Sequence, residues 1–150
     1  MRLFLDTANV EHIRHGVRLG VVSGVTTNPT IISREGKVDY QKLVEKICSI
    51  VPGPVSTEVL SQDAAGMIAE ARQIARWAEN IAVKIPASLD GIEATSVLVK
   101  ENIRVNLTLC FSLNQAVLGA EVGAAFISPF VGRIDDVGED GIKVVADIVE

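Results

Sequence analysis

Lys84 lies in the run Ile81-Ala-Val-Lys-Ile-Pro86, with apolar residues on both sides. Lysine is seldom fully buried unless it is paired or used. Removal from water disfavours an ammonium, and a neutral amine is a nucleophile that forms a Schiff base with a ketone. The plainer reading is a lysine that snorkels at a strand end and pairs with a carboxylate. Two acidic residues tip the balance. Asp6 closes the run Leu3-Phe-Leu-Asp6, and Glu58 sits near the end of Val55–Val59. One of them can pair with Lys84. A second buried charge is costly unless it has a task, and a carboxylate beside an iminium ion suits general acid–base chemistry. Thr108 carries a hydroxyl that can hold a water between Glu58 and a substrate, although alone it would be an ordinary β-branched strand residue. Ser128-Pro-Phe-Val-Gly-Arg133 ends on an arginine, whose planar fork of donors grips phosphate. Gly132 is expected to give the tight turn that aims it.

Other constellations are weak. His12 and His15 lie three apart in one helix-like segment and read as surface residues, so a histidine triad or zinc site has no support. Cys48 and Cys110 form neither a CxxC motif nor a zinc spacing, and read as free core thiols of a cytoplasmic protein. Walker A and GxGxxG signatures are missing, which leaves nucleotide binding unsupported.

The elements that position these residues alternate regularly. Short apolar runs at Leu3–Asp6, Gly24–Asn28, Val55–Val59, Ile81–Pro86, Val105–Leu109 and Ala124–Phe130 predict six strands. Helix-like segments follow at 9–19, 39–50, 63–79, 91–101, 113–122 and 139–149, and 34–39 reads as a polar loop. Val51-Pro-Gly-Pro54 breaks the chain before the third strand. Ser112 with Gln115 fits a capping box, and Asp90 with Glu93 a weaker one. Alternation of strands and helices predicts a parallel sheet of βα units.

Period-two alternation sorts the strand residues onto two faces. One face is apolar, from Leu3 and Leu5 through Val25, Val55, Val83, Ile85, Val105 and Leu107 to Ile127; Thr27 is its polar member. The other carries Asp6, Thr26, Asn28, Ser56, Glu58, Lys84, Asn106, Thr108 and Ser128, and recurs about every 22–30 residues as successive βα units would. A sheet covered on both sides is normally apolar on both. A polar face that recurs strand after strand fits the interior of a closed barrel, with its reaction site at the C-terminal strand ends.

Composition sets the outer bounds. The chain has 150 residues, 48% of them hydrophobic and 22% charged, which excludes a disordered chain and favours a single domain. Its formal net charge is −5, from 14 Lys+Arg against 19 Asp+Glu, a poor fit to nucleic acid or an anionic membrane. No apolar run approaches the ~20 residues of a membrane-spanning helix.

Together the segments FLDTAN at 4–9, GVTTNPTII at 24–32, STEV at 56–59, AVKIP at 82–86, NLTLCFSLNQA at 106–116 and SPFVGRIDD at 128–136 resemble the small-subtype transaldolase family, which includes the fructose-6-phosphate aldolases. The resemblance covers essentially the whole chain. It implies a TIM (βα)8 barrel and metal-free, cofactor-free class I aldol chemistry in the pentose phosphate pathway. A dihydroxyacetone unit would pass from fructose 6-phosphate or sedoheptulose 7-phosphate to an aldose phosphate. By the same resemblance, Lys84 would form the Schiff base and Asp6 would be the acid–base at the cleaved bond. Glu58 and Thr108 would hold the catalytic water. Asn28 and Asn106, with Thr26 nearby, would bind the dihydroxyacetone part, and Ser128 and Arg133 the phosphate, beside Phe130. A homo-oligomer is also implied.

Two positions discriminate within the family. The fructose-6-phosphate aldolases carry glutamine where this chain has Glu58 and tyrosine where it has Phe130, so the resemblance implies transfer rather than release of dihydroxyacetone. The alternatives are a fructose-6-phosphate aldolase, a non-catalytic or assembly-dependent barrel fragment, and another lysine-dependent aldolase of deoxyribose-phosphate type, against which the TTNP and SPFVGR segments weigh. Six strands account for residues 1–150, whereas the family has eight. The chain is therefore expected to supply the first six βα units, without strands seven and eight, and to leave strands one and six as edges.

Overall fold

The computed structural model describes residues 2–34, 36 and 38–150. Among these, the elements follow the order β1 (Leu3–Asp6), α1 (Val10–Arg18), β2 (Val22–Thr26), α2 (Pro29–Ser33), α3 (Tyr40–Ile50), β3 (Val55–Glu58), α4 (Ala64–Ile74), β4 (Ile81–Pro86), α5 (Leu89–Lys100), β5 (Val105–Cys110), α6 (Leu113–Glu121), β6 (Phe126–Pro129), α7 (Val131–Asp136) and α8 (Gly141–Val149). The strands form one parallel sheet in chain order, with β1 and β6 at its ends.

The sheet is curled. Phe4 on β1 and Phe126 on β6 meet edge-to-face with ring centroids 5.9 Å apart. In a flat sheet five strand spacings would separate these strands by about 24 Å. Their contact across the concave side makes the sheet part of a barrel wall. Gly24 on β2 gives Phe4 room, since a Cβ there would lie 2.3 Å from the Phe4 ring.

The convex side carries the main core. Val25, Val55, Val83, Ile85, Val105 and Leu107 are completely buried there, together with Ile13, Val44, Ile47, Ala71, Ala94 and Leu98 from the helices. Each large aliphatic side chain buried this way contributes about 1.5–3 kcal/mol. The concave side holds Ser56, Lys84, Asn106 and Thr108, buried but polar.

Helix starts follow from side-chain caps. Asn9, Asn28, Asp39, Asp63, Ser88, Ser112 and Asp140 each accept a first-turn amide. Ser112 caps α6 through the Gln115 amide, as the capping box predicts, but the Gln115 carboxamide accepts from Phe111 N and donates to Ala87 O. Asp90 is not a cap: α5 starts earlier, on Ser88, and Asp90 accepts instead from Ala64 N at the start of α4.

Two short helices, α2 and α7, occupy residues 29–33 and 131–136, to which the sequence reading assigned no element. Asn28 is extended but serves as the cap of α2, with Pro29 as its first residue, so β2 ends at Thr26 rather than Asn28. The polar stretch 34–39 contains residues 35 and 37, which lie outside the described residues. Cys48 and Cys110 are buried and unbridged, and burial pushes the Cys48 thiol up to about 11.

The Val51–Pro54 turn is held by one side chain. Asn80 Nδ2 lies 3.1 Å from Cys48 O, 3.0 Å from Val51 O and 3.0 Å from Gly53 O. Asn80→Ala is expected to lower stability by about 1–3 kcal/mol, because these carbonyls lose their donor. Urea unfolding checks this through a lower midpoint at an unchanged slope.

Candidate active site

Alternation along β4 sends Val83 and Ile85 into the helix layer and Lys84 to the concave side. Lys84 is only 4% exposed. Its Nζ lies 3.5 Å from Glu58 Oε2, donates to Thr27 O at 3.4 Å and stands 5.8 Å from the centroid of the Phe130 ring. The register explains the first contact, since Glu58 on β3 is the direct neighbour of Lys84 on β4. Burial penalises each charge, and the pair offsets that penalty only while both members are present.

Asp6 ends β1 and is exposed, and its Oδ1 accepts from Thr26 Oγ1 on β2 at 2.7 Å. Thr26 therefore orients Asp6. Asp6, Asn28, Glu58, Phe130 and Arg133 line one cavity of about 500 Å³, together with Arg34 and Leu109. Lys84 lies behind this lining, against Glu58 and Phe130. The Oδ1 of Asn28 is taken by Ile31 N at 2.8 Å, which leaves its amide N–H groups as donors for a ligand. Among the described residues, no group of three or more His, Cys, Asp or Glu side chains is placed to hold a metal ion.

A second layer runs across the concave side. Ser128 Oγ donates to Asn106 Oδ1 at 2.7 Å, and Asn106 Nδ2 donates to Ser56 Oγ at 2.9 Å. This chain fixes the Asn106 amide and leaves it one further N–H. Thr108 Oγ1 is buried without a hydrogen-bond partner among the described residues. Such a group is costly unless water or a ligand meets it. Just beyond, the β5–β6 register shifts and Leu109 adopts a φ of 55°, which brings Leu109 to the cavity wall. For a branched residue this is a strained conformation of the kind that persists at functional sites.

The phosphate end differs from expectation. Gly132 does not form a tight turn; Val131–Asp136 is helix α7, and Arg133 lies within it. Its guanidinium is largely exposed and 3.9 Å from Asp136 Oδ2. Arg133 still lines the site cavity, and also an adjoining cavity of about 760 Å³ reached past Leu109 and Phe130. That larger space is more apolar and is lined by none of Asp6, Asn28 and Glu58, which belong to the smaller one.

Ser56, Arg34 and Leu109 were not among the residues singled out as functional from sequence. Ser56 shares the inward face, which was a usable signal. Arg34 follows a short helix and Leu109 depends on a bulge, neither visible as periodicity.

The chain is similar to known proteins along its length. A family model described as transaldolase/fructose-6-phosphate aldolase matches residues 3–150. A probable transaldolase of Dehalococcoides mccartyi is 58% identical over 99% of this chain and 69% of its own length. A probable transaldolase of Methanococcus vannielii is 51% identical over 100% of this chain and 69% of its own. Among solved structures, a mandelate oxidase variant superposes with a TM-score of 0.58, covering 99% of this chain and 57% of its own at 14% identity. That likeness concerns the fold alone.

The Lys84–Glu58 pair makes an energetic prediction. Glu58→Leu strands a buried amine beside an apolar side chain and is expected to cost about 3 kcal/mol, most of which Lys84→Met recovers in the double variant. Urea unfolding of the four proteins checks this; a double variant no more stable than Glu58→Leu alone contradicts it.

Proposed function

Since the chain belongs to the transaldolase/fructose-6-phosphate aldolase family, we propose that it interconverts sugar phosphates as a transaldolase through a Schiff base on Lys84. The observation that carries this reading is the buried Lys84 amine 3.5 Å from Glu58, beside a cavity that Asp6 and Asn28 also line.

Proton exchange between Nζ and Glu58 frees the amine to attack the ketose carbonyl. The carbinolamine then loses water, with the leaving hydroxyl protonated by Glu58 through a water that Thr108 Oγ1 also holds. The unpartnered Thr108 hydroxyl supports this role. Asp6, oriented by Thr26, takes the proton of the hydroxyl next to the bond to be cleaved. That bond's electrons pass into the iminium, the aldose phosphate departs, and a three-carbon enamine stays on Lys84. The enamine attacks the carbonyl carbon of a second aldose phosphate, and Asp6 returns its proton to the new alkoxide. Hydrolysis of the iminium reverses the first steps, Glu58 taking a proton from the attacking water through the same relay and returning one to Nζ, and frees Lys84.

Asn106 and Asn28 each keep an N–H for the dihydroxyacetone hydroxyls. Arg133, beside Ser128 and Phe130, meets the phosphate. Glu58 and Phe130 favour transfer, because a carboxylate relays protons through both half-reactions and phenylalanine has no proton to give the enamine.

We take the six strands as the first six units of an eight-unit barrel, and the active assembly as a homo-oligomer. Leu113, Val117 and Leu118 on α6 and Ile142 on α8 are exposed apolar side chains that suit a covered face. No helix among the described residues is long and apolar enough to cross a membrane.

Borohydride reduction in the presence of fructose 6-phosphate is expected to attach a stable adduct to Lys84, read by peptide mass mapping; labelling elsewhere, or none, contradicts the assignment. Glu58→Gln is expected to slow transfer to erythrose 4-phosphate by at least tenfold while slowing adduct formation less. Equal losses would remove Glu58 from the proton relay after cleavage.

A further inference from the structure

The carbonyl of Glu58 has an unusual partner. Along the β2–β3 ladder, Val25 N donates to Pro54 O and Thr27 N to Ser56 O. The next donor in this series would be residue 29, facing Glu58 O. Residue 29 is proline and has no N–H. Capping of α2 by Asn28 also turns the chain away from β3 at this point. The ladder therefore fails at the residue whose carboxylate meets Lys84.

Tyr40 occupies the vacant donor position. Its hydroxyl donates to Glu58 O at 3.1 Å and lies 2.5 Å from Thr57 Oγ1. A phenol has one proton, so with that proton on Glu58 O the Thr57 hydroxyl donates to the phenol oxygen. The ring is fixed edge-to-face on Trp77 at 5.4 Å, and Asp39 caps the helix that Tyr40 begins. Burial raises the tyrosine pKa above its ordinary value, which keeps the donated proton in place. Two residues on, Glu70 accepts from Leu60 N at 2.6 Å and Ser61 N at 3.1 Å. The chain on the far side of Glu58 is thus held as well.

We infer that Tyr40 is a positioning residue for the aldol chemistry, its hydroxyl replacing the missing ladder donor and fixing the backbone from which Glu58 reaches Lys84. This rests on the proposed role of Glu58 as proton relay. Tyr40 touches neither substrate nor the reacting amine in this assignment, and acts only through Glu58.

The test is a double-mutant cycle on Tyr40→Phe and Glu58→Gln, with Thr57→Val as a third variant. Tyr40→Phe keeps the ring packing and removes the donor. It is expected to lower kcat for transfer from fructose 6-phosphate to erythrose 4-phosphate about fivefold to tenfold, with KM within twofold. In the Glu58→Gln background the same change is expected to cost less than twofold. Thr57→Val leaves the bond to Glu58 O and is expected to hold kcat within twofold of the parent. An equal loss from Tyr40→Phe in both backgrounds, no loss in the parent, or a Thr57→Val loss matching that of Tyr40→Phe overturns the inference. Failure of the underlying reading looks different: the parent protein would leave Lys84 unlabelled by borohydride, and the Tyr40 assignment would fall with it.

Discussion

The rest of the site depends on a charge pair held away from water. Lys84 and Glu58 face each other on adjacent strands of the concave side, the amine buried and the carboxylate reaching the edge of the cavity. An ammonium there needs its carboxylate, and the carboxylate needs the amine. That mutual need makes the pair useful for chemistry. A proton can pass between the two without creating a new isolated charge, so the amine can become a nucleophile while its environment stays close to neutral. Such a pair survives only if the surrounding polar groups are satisfied and the backbone does not drift.

Both conditions trace to the curl of the sheet. On a flat sheet the inward residues of β3 and β6 would be too far apart to share partners. Curling brings Ser128, Asn106 and Ser56 into one hydrogen-bonded chain and lets Phe4 meet Phe126 beneath it. The aromatic contact puts apolar side chains toward the N-terminal side of the concavity. Polar groups accumulate toward the C-terminal ends, where Asp6, Asn28 and Glu58 open onto the cavity. The result is a change from aromatic to polar side chains along the concave side, with the amine between them.

The strands and the inward residues were legible because period-two alternation is a strong local signal. β1 and β4 fall on the predicted residues, and Asp6, Glu58, Lys84, Asn106, Thr108 and Ser128 share the predicted side. What escaped prediction lies where local and tertiary preferences conflict. Asn28 looks like a strand residue and has extended dihedrals, yet its side chain caps α2. Gly132 suggests a turn, but α7 runs through it without any capping side chain to announce its start. The bulge at Leu109 requires a left-handed φ that no leucine advertises. Tyr40 resembles an ordinary amphipathic helix residue, and only the ladder register exposes the carbonyl that it serves.

The two ends of the site are held in contrasting ways. Lys84, Glu58 and Asn106 project from the middle and ends of paired strands, and their partners are fixed by register or by short hydrogen bonds. Arg133 projects from a six-residue helix that follows β6, exposed and 3.9 Å from Asp136. A proton relay tolerates little error, because transfer needs heavy atoms within hydrogen-bond reach. Recognition of a phosphate by a guanidinium tolerates more, since several donors can engage several oxygens and the attraction persists at longer range. Rigid strands for the reacting atoms and a short surface helix for the charged handle match these demands. On the proposed assignment, substitutions on β3 to β5 would act on the rate of the chemical steps, whereas changes around α7 would act on how firmly a phosphorylated substrate is held.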